Sequence, residues 1–410
     1  MLYNVAKDKR PYLIIIAHYF INVKEIERIK MKICAVICEY NPFHNGHLYQ
    51  LSQAKRLSGA DAVLCIMSGN FVQRGDAAIV DKFTRAKHAV LGGADVVVEL
   101  PTVFATSNAE LFAKGAISIL SAIPAVTTLC FGAETSDKTA FLETAKLLNN
   151  EPIEISQEIK ALTANGMSYA KARAAAWKSV LSCDLLTSPN NILGLEYTRA
   201  ILAKNANIDI LPVQRLGSGY NDKDLSEEFS SASAIRNAIA TQTAYGDALP
   251  EFVKADLPVK LSDKLDCLEK FAVLTRTEEE IARVCDCSEG LENAFKKAAL
   301  QERDFADALT SARYTSSRIR RIALQNLLKI DETLIRSALS SPLYLRVLAV
   351  NKGSTEILSA LNESTLPVIA RAHDEDELTG FAKQAYDIDC FAENAHRLLY
   401  SPLNKRTIFV

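Results

Sequence analysis

Cys38-Glu39-Tyr40-Asn41-Pro42-Phe43-His44-Asn45-Gly46-His47-Leu48 follows the apolar run Ile33–Cys38 and leads into a helical pattern that opens at Gly46. The stretch therefore reads as a buried strand, a tight proline-set loop and a helix N-terminus. Two of the chain's six histidines fall in this loop, three residues apart. Free backbone N–H groups and the positive end of a helix dipole would face the same space, as in an anion-binding loop. Imidazoles there can donate to phosphate oxygens whose charge grows as a bond to phosphorus forms. Gly46 is expected to keep a Cβ away from the ligand. The simpler alternative is that His44 and His47 only cap and pack at a strand–helix junction.

The rest of the first half repeats this grammar. Asp61–Met67, Asp95–Leu100, Val126–Phe131 and Ile208–Val213 are apolar runs without alternation, each separated from the next by helical text. Such runs suit parallel strands covered on both faces, and the alternation predicts right-handed βαβ units in a doubly wound α/β sheet of the Rossmann type. Ligands in that architecture bind at the carboxyl edge of the strands. Phe71–Asp76, Gly132-Ala133-Glu134, Asn190 at a helix start and Gln214–Tyr220 would all lie there. A glycine at 132 would let a nucleotide approach the backbone. Arg74, Lys82 and Arg85 read either as phosphate contacts or as a solvated charged face, with Asp81 as a helix N-cap and the solvated reading favoured for Arg85. Tyr169 and Trp177 are expected on one helix face, in the core.

A second constellation, Ser230-Ser231-Ala232-Ser233-Ala234-Ile235-Arg236, also opens a helix. Serine hydroxyls, helix-end N–H groups and Arg236 can together hold the β- and γ-phosphates, although serines at a helix start are commonly caps. Polar text broken by Gly246, Pro250 and Pro258 follows, giving an expected boundary after residue 245. The segment 246–410 reads as a mainly helical C-terminal domain, with short strands at Tyr344–Val350 and Leu366–Ala370. Within it, Arg313, Arg318, Arg320 and Arg321 fall within nine residues beside Tyr314, a pattern for RNA-backbone contact or for pairing with acidic neighbours.

Composition narrows the classes. With 49% hydrophobic and 23% charged residues, 410 residues suffice for a large core and two domains. A net charge of −2 confines any nucleic-acid contact to a local basic face and gives no reason to expect DNA. Nine cysteines without a C-x-x-C pair read as reduced thiols of a cytoplasmic protein, and Cys285 with Cys287 lacks partners at zinc-site spacing. Tyr12–Val23 mimics a signal peptide but is interrupted by His18 and Asn22, has no small-residue cleavage site and is too short to span a membrane. Residues 1–30 are expected to be an extension, with the fold beginning at Met31.

The loop resembles the H-x-G-H signature of the nucleotidylyltransferase superfamily, and Ser231-x-Ser233-x-Ile235-Arg236 resembles its S-x-S/T-x-I-R motif. The longer string from Cys38 to Leu48 resembles the tRNA(Met) cytidine acetate ligase family, from Met31 to the C-terminus. That resemblance implies a nucleotidylyltransferase-type domain over 31–245 and a tRNA-binding segment over 246–410. It implies that ATP and acetate give an acetyl-adenylate and pyrophosphate, and that the acetyl group passes to the exocyclic amine of the wobble cytidine of elongator tRNA(Met). The resemblance implies further that acetyl-coenzyme A is not the donor. It also implies catalytic roles for His44, His47, Ser233 and Arg236, and ATP contacts from Ile37 through the quoted string to Tyr49 and Gln50, and at Gly132, Asn190 and Arg215. Mg²⁺ is expected to accompany ATP, with no metal ligand set in the protein. Two other readings keep parts of the same evidence: an adenylyltransferase of the pantetheine-phosphate or nicotinamide-mononucleotide class, and a non-catalytic RNA-binding protein.

Overall fold

The computed structural model describes residues 31–178, 180–181, 185–215, 230–341, 343–371, 373–401 and 406–410. The expected N-terminal extension (1–30) and the loop Leu216–Tyr220 lie outside them. The strands in chain order are β1 (Ile33–Cys38), β2 (Ala62–Ser68), the hairpin pair β3 (Phe71–Val72) and β4 (Asp76–Ala77), β5 (Val96–Leu100), β6 (Val126–Ala133), β7 (Asp209–Gln214), β8 (Leu345–Val350), β9 (Val368–Ile369) and β10 (Ile408–Phe409). The helices that matter to the site are α1 (Asn45–Ser58), α2 (Lys82–Leu91), α3 (Ala109–Leu120), α4 (Pro189–Lys204), α5 (Ala232–Thr241), α6 (Ser316–Leu328) and α7 (Gly380–Leu399).

The main sheet has the order β10-β8-β5-β2-β1-β6-β7, and the segment β5-β2-β1-β6-β7 is parallel throughout. Every residue of β1 is buried. Its side chains divide between two cores by strand periodicity: Ile33, Ala35 and Ile37 join one, Cys34, Val36 and Cys38 the other. Helices α3 and α4 cover the first face, α1 and α2 the second, so the continuous apolar runs are those of a sheet covered on both sides. The strand order reverses between β1 and β6, which makes the crevice at their carboxyl ends the topological switch point.

The sheet does not stop at residue 245. β8 pairs antiparallel with β5, Val96 opposite Val350, and β10 adds parallel to β8. A buried edge at β5 would leave unpaired backbone groups, and the apolar run Leu345–Val350 covers it. Helix α7 is tied to the first half as well: Asp389 accepts from the Thr102 backbone N–H at 2.8 Å and from the Tyr344 hydroxyl at 2.6 Å. The region after residue 245 is mainly helical, as expected, with its own core of Val273, Ile281, Phe295, Phe305, Ile319 and Ile322, and it also returns β8 and β10 to the main sheet.

Two expectations about side chains are corrected. Lys82 and Arg85 are buried, not a solvated face. Lys82 sits between Glu99 at 2.7 Å and Glu393 at 3.5 Å. Arg85 donates to the carbonyls of Glu39, Ser68, Gly69 and Val80, joining the ends of β1 and β2. Asp81 does cap α2, accepting from Phe83 and Thr84 N–H, each at 3.1 Å. Trp177 is fully buried but Tyr169 is 59% exposed. Eight helical residues turn through about 800°, roughly 80° away from a shared face.

Candidate active site

At the switch point the chain leaves β1 through Tyr40, in a left-handed conformation (φ 50°), and a cis Asn41–Pro42 peptide. Phe43 is buried beneath Gly92, where a Cβ would lie 2.4 Å from its ring. The loop is held from several sides: the Asn41 side chain accepts from Ile79 N–H at 2.9 Å, and Asn45 Nδ2 donates to the Asp247 carbonyl at 2.7 Å. These anchors deliver His44 to the N-cap of α1 and His47 to its third position, where they form a reciprocal capping box.

That box sets the chemistry of both rings. Nδ1 of His44 accepts from Gly46 N–H at 3.1 Å, and Nδ1 of His47 accepts from His44 N–H at 3.2 Å. Each neutral ring therefore carries its proton on Nε2, a tautomer assigned from the hydrogen-bond network. The rings stack with centroids 3.6 Å apart. Burial, then Arg215 and Arg236, push the His44 imidazolium down to about 3. Burial, then His44 and Arg215, hold His47 well below the ordinary histidine range. The result is two neutral N–H donors at a helix N-terminus.

The glycine between them serves the rings and not a ligand. A Cβ on Gly46 would stand 2.9 Å from His44 Cε1, so it would displace the capping imidazole. Gly132 is the opposite case. A Cβ there would meet only Arg215 Cγ at 3.5 Å, an ordinary contact, so the protein's own packing does not require glycine at the end of β6.

The two histidines form one wall of a cavity of about 200 Å³ that also reaches Glu39, Gln50, Arg74, Gly132, Asn190, Arg215, Ser233 and Arg236. A smaller lobe of about 30 Å³ shares His44, His47, Gly132 and Arg215 and extends along Val213, Gln214 and Ser230. Helix α5 points its N-terminus here. Ser231 caps it, accepting from Ala234 N–H at 3.1 Å, which leaves Ser233 and Arg236 on the cavity side. Arg236 donates to the Asn41 carbonyl at 2.6 Å and to Ser233 Oγ at 3.3 Å, bridging both signature motifs. Asn190 Nδ2 donates to Glu134 at 2.7 Å, clamping the start of α4 to the end of β6.

The chain matches known proteins over this whole architecture. A family model described as HIGH Nucleotidyl Transferase matches residues 31–408. A tRNA(Met) cytidine acetate ligase from Thermoanaerobacter sp. (strain X514) is 37% identical over 386 residues, covering 90% of this chain and 96% of that protein. Another, from Caldicellulosiruptor saccharolyticus, is 39% identical over 348 residues, covering 81% and 86%. The chain belongs to the tRNA(Met) cytidine acetate ligase family. Among solved structures, apo Thermotoga maritima TmcAL superimposes with a TM-score of 0.84 at 30% identity, covering 92% of this chain and 100% of that one. The same protein bound with alpha-thio ATP gives 0.81 at 31% identity, covering 92% and 96%.

In this member of the tRNA(Met) cytidine acetate ligase family, the residues expected at the site divide by location. Ile37 to Asn41, His44, His47 and Gln50 line the main cavity, and Gly46 and Tyr49 the smaller lobe. Pro42, Phe43, Asn45 and Leu48 line neither, and Phe43 and Asn45 hold the loop in shape. Sequence reading did not name Phe112, Phe131, Leu193 or Tyr197 as site residues, gave Gln73 only within the ligand-edge segment Phe71–Asp76 and Ser231 only within the second motif, and left Arg74 open; all of them line the cavity. Position at the strand ends pointed to the segment that holds Gln73 and Arg74, whereas nothing local marks the aromatic residues.

The four arginines of the C-terminal cluster are largely engaged within the chain. Arg318 donates to the Asp286 carbonyl and Ser288, and Arg321 pairs with Asp286 at 3.4 Å. Arg313 pairs with Glu289 at 2.8 Å and Arg320 with Asp76 at 3.1 Å. The side chains of Arg313 and Arg320 are 39% and 44% exposed, that of Arg321 only 11%. Among the described residues no group of three or more His, Cys, Asp or Glu is placed to hold a metal ion, and no helix is long and apolar enough to cross a membrane.

Proposed function

We propose that this chain binds ATP across the switch point, joins acetate to its α-phosphorus with release of pyrophosphate, and transfers the acetyl group to the exocyclic amine of the wobble cytidine of elongator tRNA(Met). The observation that carries this is the pair of neutral, tautomer-locked imidazoles at the start of α1, between Arg215 and Arg236. Acetate is a poor electrophile until one oxygen is bonded to phosphorus, when AMP becomes a leaving group. The demand on the protein is therefore donors and positive charge, not a nucleophile. Nε2–H of His44 and of His47 meets the charge that develops on the α-phosphate oxygens. Ser233, Arg236 and the N-terminus of α5 receive the β- and γ-phosphates and the departing pyrophosphate. In the second step the cytosine amine attacks the acetyl carbonyl, the acyl–phosphate bond breaks, AMP leaves and the amine loses a proton.

Mg²⁺ is expected to travel on the nucleotide's phosphates, since the described residues of this site do not form a cage for it. For the RNA, exposed Arg313 and Arg320 support phosphate contact. Helix α6 borders the hairpin that carries Arg74, so RNA bound there would lie beside the cavity.

The test is incubation with Mg-ATP and labelled acetate, with and without tRNA(Met). Acetyl-adenylate should form without RNA, and label should enter RNA only when the wobble cytidine is present. ATP turnover on a small phosphate acceptor without acetate dependence would overturn the proposal in favour of an adenylyltransferase.

A further inference from the structure

The main cavity has two chemically different ends. One is the polar wall of His44, His47, Arg215, Ser233 and Arg236, which continues into the smaller lobe along Gln214 and Ser230. The other lies on the opposite face of the sheet, beyond Ile37, and is closed by Phe112 of α3, Phe131 of β6, and Leu193 and Tyr197 of α4. The polar lobe gives the nucleotide a direction to extend. The aromatic end is left for the second reactant.

We infer that this aromatic end is the carboxylic-acid subsite: Phe112, Phe131 and Leu193 enclose the methyl group, the Tyr197 hydroxyl donates to the carboxylate, and the wall limits the acid to two carbons. The inference rests on the proposal that the chain activates acetate.

Three observations support it. Tyr197 is 4% exposed, and its hydroxyl has no hydrogen-bond partner among the described residues although it lines the cavity. The hydroxyl oxygen itself is reachable from the cavity, so it is free to donate to a ligand held there. Burial, with Glu39 and Cys38 nearby, raises the phenol, so it remains a donor at neutral pH. Gln73, in contrast, is already engaged, its Nε2 with the Ser107 carbonyl and its backbone N–H with Glu39.

The wall is also unable to retreat. The Phe131 ring lies 6.0 Å from that of Tyr197 and 5.2 Å from that of Phe141, and the Phe112 ring 6.5 Å from that of Tyr197. Behind Phe131 runs the backbone of Gly194, where even a Cβ would come within 2.4 Å of the ring. A longer acid would have to displace packed aromatic rings, so selection works by exclusion. Hydrophobic attraction alone would favour the longer chain, by about 0.8 kcal/mol for each added CH₂.

The experiment is acid-dependent ATP–pyrophosphate exchange with acetate, propionate and butyrate, measured for the wild type, Phe112→Ala, Phe112→Leu and Tyr197→Phe. Removing the ring should raise the propionate-to-acetate ratio of kcat/KM by about tenfold or more, with the KM for ATP unchanged. Phe112→Leu, which keeps most of the volume, should shift the ratio in the same direction and carries the test if the alanine variant does not fold. Tyr197→Phe should raise the KM for acetate about tenfold at unchanged KM for ATP, as expected for a lost donor to a charged group. Unaltered acid selectivity in the Phe112 variants would overturn the inference, and so would a raised KM for ATP alone, which would make this end the base pocket. A wild-type protein with no acetate-dependent exchange would instead bring down the parent proposal.

Discussion

Gly75 and the backbone of Arg320 are in direct contact. A Cβ built on Gly75, which has φ 78°, would stand 2.5 Å from the Arg320 carbonyl carbon. Asp76, the next residue, pairs with the Arg320 guanidinium at 3.1 Å. The tip of the β3–β4 hairpin thus fits against α6, and the same hairpin presents Gln73 and Arg74 to the cavity. Gly75→Ala should separate them and lower the unfolding free energy by about 1–3 kcal/mol, through overpacking and a left-handed conformation that suits glycine. Urea unfolding checks this; an unchanged midpoint would mean that the contact carries no energy.

His44→Ala and His47→Ala should each slow acetate-dependent ATP–pyrophosphate exchange by about 10²-fold or more, the size associated with a lost transition-state donor. Because each Nδ1 is used in the capping box, the loss should appear in kcat more than in the KM for ATP. Exchange near the wild-type rate would reduce the pair to helix capping.

The same burial makes the apo protein sensitive to acid. An unfolded histidine takes up its proton near pH 6.5, whereas folded His44 does so only near about 3. Between these values the unfolded state binds the extra proton, so stability falls as the pH drops below about 6.5. His44→Gln removes this component, and its loss of stability from pH 7 to pH 5 should be smaller than the wild type's by about 2 kcal/mol. Equal losses in urea titrations at the two pH values would show that the ring protonates freely in the folded state.

Gly132→Ala should fold with wild-type stability, because the added methyl meets only Arg215 Cγ at ordinary distance. Its effect should fall on ATP affinity, read by calorimetry, since the methyl projects toward the nucleotide's expected path. A destabilised protein with normal ATP affinity would contradict this assignment.

The arginines of the C-terminal cluster should separate into two groups. Arg321→Ala removes a largely buried guanidinium and leaves the partly exposed Asp286 carboxylate with only the Asn108 amide as a donor, and should lower the unfolding free energy by about 1–3 kcal/mol. Arg313→Ala should leave stability within about 0.5 kcal/mol, as for an exposed ion pair, while weakening tRNA binding and reducing its salt dependence by about one phosphate contact. Filter binding across a salt series, beside thermal melting, measures both.

Local pattern determined most of the first half. Continuous apolar runs such as Ile33–Cys38 need cover on both faces, and their alternation with helices leads to a doubly wound sheet. The string from Cys38 to Leu48 marked the switch-point loop because a strand, a proline-set turn and a helix N-terminus are encoded by neighbouring residues. What lay beyond sequence were the relations between distant residues. Whether Arg85 meets solvent or four carbonyls depends on where α2 lands relative to the ends of β1 and β2. Whether Leu345–Val350 starts a new domain or closes the edge of β5 depends on a pairing across some 250 residues. The aromatic end of the cavity, with Phe112, Phe131 and Tyr197 drawn from three elements, has no local signature at all. Helix and strand periodicity are short-range consequences of the backbone, whereas burial and partner choice are settled only when the elements pack.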